Sequence, residues 1–327
     1  MEVLDLRLGS PDFVQPYWDQ HPGSPYTIPL SHGIKYEKDG GQPDLVSAII
    51  KLHHLIGNAQ TIGKKIVIGS GATNLIYAAV SGHRTVSYRH PYYFKFPDIV
   101  AKAGALDVGE SPLSEIEIVV QPHNPLNSIM PPLGGGKKIY DYCYNWPQYV
   151  DVFKGNKDLM VFSLSKSTGH AASRIGWAIC EHDSDYERIK NAIEFTSGGV
   201  STESQARATA ILNQQILSIE SESGNDVFTW SKKVLSQRWE RFLAVNNPKL
   251  RILNSSGMFA WCEYGDTDLI NATGQFFNDY KIHTVSGITC GGKPENIRIN
   301  MGCSFKDFEE LIRRISFDSK PSLRLVT

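Results

Sequence analysis

A lysine stands directly after a continuous apolar run: Leu159-Met160-Val161-Phe162 leads into Ser163-Leu164-Ser165-Lys166. Strand ends at the middle of a sheet are partly desolvated. Desolvation disfavours the ammonium form, lowers the lysine pKa and makes the amine nucleophilic. Two hydroxyls, Ser163 and Ser165, precede Lys166, and Arg174 follows eight residues later. Hydroxyls, backbone N–H groups and one arginine make a phosphate cradle. A nucleophilic lysine beside such a cradle points to pyridoxal 5′-phosphate held as a Schiff base. By itself the segment also fits a surface lysine in a serine-rich loop.

Other residues supply the partners such chemistry needs. Asp141 follows the run Lys138-Ile139-Tyr140. A buried carboxylate there could bond the pyridine nitrogen and keep the ring an electron sink; the plainer reading is a turn or N-cap aspartate. Asn124, in Gln121-Pro122-His123-Asn124-Pro125, closes another apolar run and could donate to the phenolate oxygen of the cofactor. It also fits an ordinary Asn-Pro turn. Gly69-Ser70-Gly71-Ala72-Thr73-Asn74 lies between a strand and a helix, where free N–H groups can bind phosphate. It lacks the G-K-[ST] of a P-loop. Tyr92, after His90-Pro91, is expected to stack on a planar ring, or else to be a core aromatic.

The elements that must position these residues are legible from pattern. Short apolar runs at 65–68, 85–88, 117–120, 138–140, 159–162 and 177–180 alternate with helical segments. Runs buried on both faces and interleaved with helices predict an α/β fold with a mostly parallel sheet. Ligands bind at the ends of such strands, which is where the polar residues cluster. Leu45, Ile49, Leu52 and Ile56 predict a helix from about Asp44 that Gly57 stops. Two long helices are expected over 200–222 and 226–245, then strands at 258–262 and 296–300 and a closing helix through Phe308, Leu311, Ile312 and Ile315. Three parts are expected: a turn-rich arm at 1–43, a large cofactor domain at 44–222 and a smaller α+β domain at 223–327. The aromatics of the arm, Tyr17, Trp18, Tyr26 and Tyr36, need a surface on another lobe or another subunit.

Composition narrows the class. The chain has 327 residues, a formal net charge of −1 and 41% hydrophobic residues, enough for a sizeable core. Near-zero charge argues against nucleic-acid or membrane-surface binding, and no apolar run approaches a spanning length. Met1-Glu2-Val3-Leu4-Asp5 does not read as a secretory leader. Five scattered cysteines without a C-x-x-C pair predict neither a disulfide framework nor structural zinc, and fit a reducing, cytoplasmic setting. His53-His54 reads as a surface pair on its helix, with no metal site. His170, beside the cradle, is expected to orient its loop.

Taken together, these segments resemble fold-type I pyridoxal-phosphate enzymes, and within them the alliinase and plant tryptophan–pyruvate aminotransferase family. Members carry G-[ST]-G-S-T-x-L, A-P-[FY]-Y, S-P-N-N-P-[DE]-G, Y-D-x-x-Y-Y-W-P and S-K-x-T-G-H-A-G-S-R-[FI]-G-W-A. This chain has Gly69 through Leu75, Asp141-Tyr142-Cys143-Tyr144-Asn145-Trp146-Pro147 and Lys166 through Ala178. Gly199-Val200-Ser201-Thr202-Glu203-Ser204-Gln205 is similar to a further family segment. The resemblance implies that Lys166 carries the cofactor and moves the α-proton. It implies Asp141 on the pyridine nitrogen and Asn124 with Tyr144 on the phenolate oxygen. Ala72, Thr73, Ser163, Ser165 and Arg174 would hold the phosphate, and Tyr92 would stack on the ring. Tyr36 would reach the neighbouring subunit's phosphate in a homodimer with shared sites, and Arg298 would clamp the substrate carboxylate. The cysteine-rich module of alliinases is not expected here, Ala72 replaces a serine, and His123-Asn124-Pro125-Leu126-Asn127 departs from the N-N-P-[DE]-G loop.

The expected function is transfer of the amino group of an L-amino acid, aromatic or large and apolar, to a 2-oxo acid. The alternatives are an alliinase-like C–S lyase, or another β-elimination or replacement enzyme, and a non-catalytic pyridoxal-phosphate-binding protein.

Overall fold

The apolar runs become the strands of one seven-stranded sheet in a computed structural model that describes residues 2–23, 27–29, 31–35, 40–265 and 271–316. Across the sheet the strands are Lys65–Gly69, Gly176–Cys180, Leu159–Ser163, Lys137–Asp141, Ile116–Val120, Thr85–Tyr88 and Leu106–Asp107. The five from Leu159–Ser163 outward are parallel, and Gly176–Cys180 runs antiparallel to both of its neighbours. Every residue of Ile116–Val120, Leu159–Ser163 and Gly176–Cys180 is buried. That two-sided burial is why these strands read as continuous apolar runs instead of alternating ones.

The helices follow the predicted stripes. Pro43–Ile56 begins on a proline, whose missing N–H costs nothing at a first turn, and ends at Gly57 in the left-handed region, φ 73°. Thr202–Glu220 and Val227–Leu243 are capped by the side chains of Ser201 and Asp226. One correction concerns His53. It is fully buried, with its ring between Asn58 Oδ1 at 2.7 Å and the indole N–H of Trp177 at 2.9 Å, while His54 is exposed. Burial holds its pKa down at about 4, so it is a neutral core group and not half of a surface pair.

A four-stranded antiparallel sheet, with Phe259–Tyr264 and Asn296–Asn300 at its centre, packs with the helix Phe305–Ile315 around a second hydrophobic core. Val227–Leu243 serves both cores. Its Val227, Phe228, Val234 and Leu235 enter the large one, and Trp239 and Phe242 the small one. The N-terminal segment also divides. Leu4 and Leu6 pack in the small core, Phe13, Val14 and Tyr17 in the large one. Tyr17 and Trp18, two of the arm aromatics expected to need a surface, therefore find it on this chain, the Trp18 indole donating to Thr168 O at 2.9 Å. Tyr26 and Tyr36 lie outside the described residues. Among the described residues no helix is long and apolar enough to cross a membrane.

Candidate active site

Three adjacent parallel strands stop at the same edge of the sheet, and residues at or just beyond their ends open into one cavity of about 350 Å³. Ser163 ends one strand, Asp141 its neighbour, and Asn124 follows the third. The helix Ala72–Val80 points its first turn at the same space. Leu8, Gly9 and Ser10 of the N-terminal segment, with Phe259 and Arg298 of the small lobe, close the other side.

Lys166 sits on the single helical turn Leu164–Ser167, which Ser163 caps by accepting the Ser165 N–H at 3.2 Å. Gln148 pins that turn from outside, donating to the carbonyls of Lys166 at 2.9 Å and Ser167 at 3.0 Å. The Lys166 amine donates to the Gly9 carbonyl and, among the described residues, has no carboxylate hydrogen-bonded to it. Burial pushes its pKa down to about 8, so a minority of roughly a tenth is neutral near pH 7, far more than for an ordinary lysine. Asp141 is buried and accepts the Cys143 N–H at 3.0 Å; burial raises its pKa. A cationic N–H from a ring in the cavity would relieve that penalty.

The phosphate end is made by backbone. Ala72–Val80 has no side-chain cap, so its first N–H groups face the cavity. Gly71 takes φ 83°, and a Cβ there would collide with the Arg174 guanidinium. Arg174, itself left-handed at φ 53°, donates to Ser70 O and Ala171 O, which aims its guanidinium at the helix start.

Arg298 is 1% exposed, yet among the described residues no carboxylate pairs with it. Its guanidinium reaches Asn124 Oδ1 and Arg7 O, both at 3.3 Å, and its Nε has no partner. It lies over the Phe259 ring at 4.2 Å. A buried cation without an anion is costly unless a ligand brings one. The Asn124 amide in turn donates to the Tyr144 hydroxyl at 3.3 Å.

Ten of the residues singled out from sequence therefore share this cavity: Lys166, Asp141, Asn124, Tyr144, Ala72, Thr73, Ser163, Ser165, Arg174 and Arg298. Tyr36 lies outside the described residues. Tyr92 is a correction. Its ring packs edge-on against Tyr88 and His90 and against Gly291, and its N–H donates to Cys290 O at 2.6 Å. Tyr93 lines the cavity instead. His170 bonds Thr168 Oγ1 at 3.0 Å and packs on Trp18, outside the lining.

The residues present fit pyridoxal 5′-phosphate. An uncapped helix start and Arg174 meet a phosphate, a buried carboxylate meets a ring N–H, and a desolvated amine meets an aldehyde. Fold and cavity together define a fold-type I pyridoxal-phosphate enzyme. The family model described as allinase matches residues 4–318, and the chain belongs to the alliinase family. Tryptophan aminotransferase-related protein 2 of Arabidopsis thaliana is 30% identical, over 97% of this chain and 82% of its own length. Alliin lyase 2 of Allium sativum is 27% identical, over 94% of this chain and 75% of its own. An aminotransferase from Staphylococcus aureus matches with a TM-score of 0.74 at 16% identity, over 96% of this chain and 93% of its own. The methionine aminotransferase YbdL of Escherichia coli matches at 0.72 and 17%, with the same coverage. At such identities the structural likeness carries the fold. The cofactor of the family is pyridoxal phosphate.

Proposed function

We propose that the protein is an aminotransferase that takes the amino group of an aromatic or large apolar L-amino acid and passes it to a 2-oxo acid. The observation that carries this reading is the composition of the cavity beyond Arg298. Leu8, Ile76, Phe94 and Phe259 line it beside an unpaired buried guanidinium, which suits an α-carboxylate followed by an apolar side chain.

Bound pyridoxal phosphate supplies an electron sink for negative charge at the substrate α-carbon. The chain's residues do the rest. Arg298 orients the carboxylate, Lys166 takes and returns the α-proton at Nζ, and Asp141 holds a ring proton. Asn124 and Tyr144 donate toward the phenolate oxygen, and Ala72, Thr73, Ser163, Ser165 and Arg174 secure the phosphate. Tyr93 takes the ring-packing place expected of Tyr92. Asp141→Ala should retain the cofactor by its visible absorbance yet lower turnover on the order of 10² or more, since the carboxylate acts chiefly on the transition state. Turnover near normal in that variant would remove Asp141 from the mechanism.

A C–S lyase reading is supported by the alliin lyase relatives, because proton abstraction by Lys166 is the shared first step. Mixing the holoenzyme with each common amino acid, and with S-alkyl cysteine sulfoxides, separates the two. A 2-oxo acid that keeps the donor's side chain supports transfer. Pyruvate with a sulfur-containing product supports the lyase. No reaction with any of them would favour a binding protein without turnover, which the convergence of Lys166, Asp141 and Arg298 in one cavity argues against.

The reading includes a homodimer with shared sites in a reducing, cytoplasmic setting. The family resemblance of Tyr36 supports the first, and five free, buried cysteines are consistent with the second. Cofactor retention and activity should then fall together on dilution. Tyr36→Phe should weaken cofactor retention without unfolding the protein, because one hydroxyl is lost. A fully active monomer in sedimentation at assay concentration would overturn the shared site.

A further inference from the structure

The cavity carries one more positive charge than the chemistry above uses. Among the described residues four cations line it, Lys95, Lys166, Arg174 and Arg298, against a single acid, Asp141. Lys166 serves the cofactor's carbonyl end, Arg174 its phosphate and Arg298 the α-carboxylate. Lys95 has no anion inside the cavity. Its partner is Asp98, one helical turn on, at 3.6 Å, with the two side chains 47% and 60% exposed. An exposed pair of that length is weak and easily exchanged.

Lys95 and Arg298 both stand against the ring of Phe94. Lys95 Nζ lies 5.3 Å from the Phe94 centroid and Arg298 Cζ lies 5.1 Å from the same centroid. The two charges are therefore no more than about 10 Å apart. The end carbons of an extended five-carbon diacid are about 5 Å apart at ordinary bond lengths. With charge-assisted hydrogen bonds of about 2.8 Å at each end, such an acid is long enough to bridge the two charges.

We propose that Lys95 is a specificity-determining residue that binds the distal carboxylate of a dicarboxylic substrate, the natural match being a five-carbon 2-oxo dicarboxylic acid as amino acceptor. This rests on the aminotransferase reading, and it deepens it. In such an enzyme donor and acceptor use one site in turn. An apolar donor side chain packs on Phe94 and Leu8 while the Lys95 ammonium stays in solvent. A dicarboxylic acceptor draws the ammonium inward along the ring. The same lysine also borders a neighbouring cleft with Thr73 and Arg174, so service to the cofactor phosphate is the competing assignment.

Glutarate and pentanoate decide it, because both bind without reacting. Each is titrated into the holoenzyme and followed by the cofactor's absorbance, so the result does not depend on turnover. Glutarate should bind at least about tenfold more tightly than pentanoate. Lys95→Met should bring that ratio close to one, and Lys95→Arg should restore most of it. Lys95 is half-exposed at the start of the Phe96–Lys102 helix, so neither variant threatens the fold. Equal affinity for the two acids in the unaltered enzyme would overturn the proposal. So would a ratio that Lys95→Met leaves intact, or a loss of cofactor affinity in place of a changed ratio. A ratio that collapses in Lys95→Met while no amino acid is transaminated would uphold the site and overturn the aminotransferase reading.

Discussion

Lys166→Ala should leave a folded protein whose turnover is lower by about 10⁴ or more, because one amine both bonds the cofactor and relays the proton. In the unaltered holoenzyme, borohydride reduction followed by peptide mapping should fix the cofactor on the peptide containing Lys166. A label on another lysine, or substantial turnover in the variant, would reject the assignment. The same residue has a thermodynamic signature in the apoprotein. Its folded pKa is about 8 against 10.5 for an ordinary lysine. Between those values the unfolded chain binds more protons than the folded one, so stability rises with pH there. Below about pH 8 the burial cost is fully present; above about 10.5 it is gone. Lys166→Met apoprotein should therefore be more stable than the parent at pH 7, on the order of 1–3 kcal/mol. The difference should fade by pH 10 in urea unfolding. A variant no more stable at pH 7 would mean that the amine is not desolvated.

Arg298→Leu should lower kcat/KM for amino acids about 10²–10³-fold, the scale expected when one partner of a buried charge pair is removed. The loss should be selective. The half-reaction with an amine that lacks the carboxylate should lose far less, since Arg298 has nothing to bind there. Equal losses with both would show that Arg298 supports the fold of the cavity and does not read the carboxylate. The guanidinium is buried over Phe259 with its Nε unpartnered. An acid that enters therefore meets a donor already desolvated and fixed in direction.

The site was legible where side chains carry the chemistry and strand ends carry the side chains. Lys166, Asp141 and Asn124 each follow a run that can only be a buried strand, and parallel strands bring their ends together. Tyr92 and Tyr93 show where pattern stops. Adjacent residues in a loop have no fixed phase, and only the packing of Tyr92 against Tyr88 and Gly291 decides which ring faces the cavity. Gly9 and Gln148 were invisible for another reason. Gly9 contributes a carbonyl that every residue has, and Gln148 acts on the backbone of a turn that neighbours it only in the fold. His53 was misread despite a signal. It stands four residues after Ile49, on the stripe that buries Leu45, Ile49 and Leu52, and a periodic reading that admits polar residues would have placed it inside. A large and a small part were expected from pattern, but not that one helix serves both cores, because the stripe of Val227–Leu243 runs without a break from one core into the other.

The contact between Arg298 and the Arg7 carbonyl joins residues 291 positions apart, and this bears on biosynthesis. On the ribosome the large core can be assembled from residues already made. Its cavity stays without a wall until the strand Asn296–Asn300 has emerged and drawn Leu6 and Ser10 against it. Until then neither the Gly9 carbonyl nor the Phe259 ring is held over the amine of Lys166. A nascent chain thus gains its desolvated lysine last. Capture of a reactive aldehyde is thereby coupled to the arrival of the Asn296–Asn300 strand, and a product that stops before it lacks Arg298 and the wall that strand supplies.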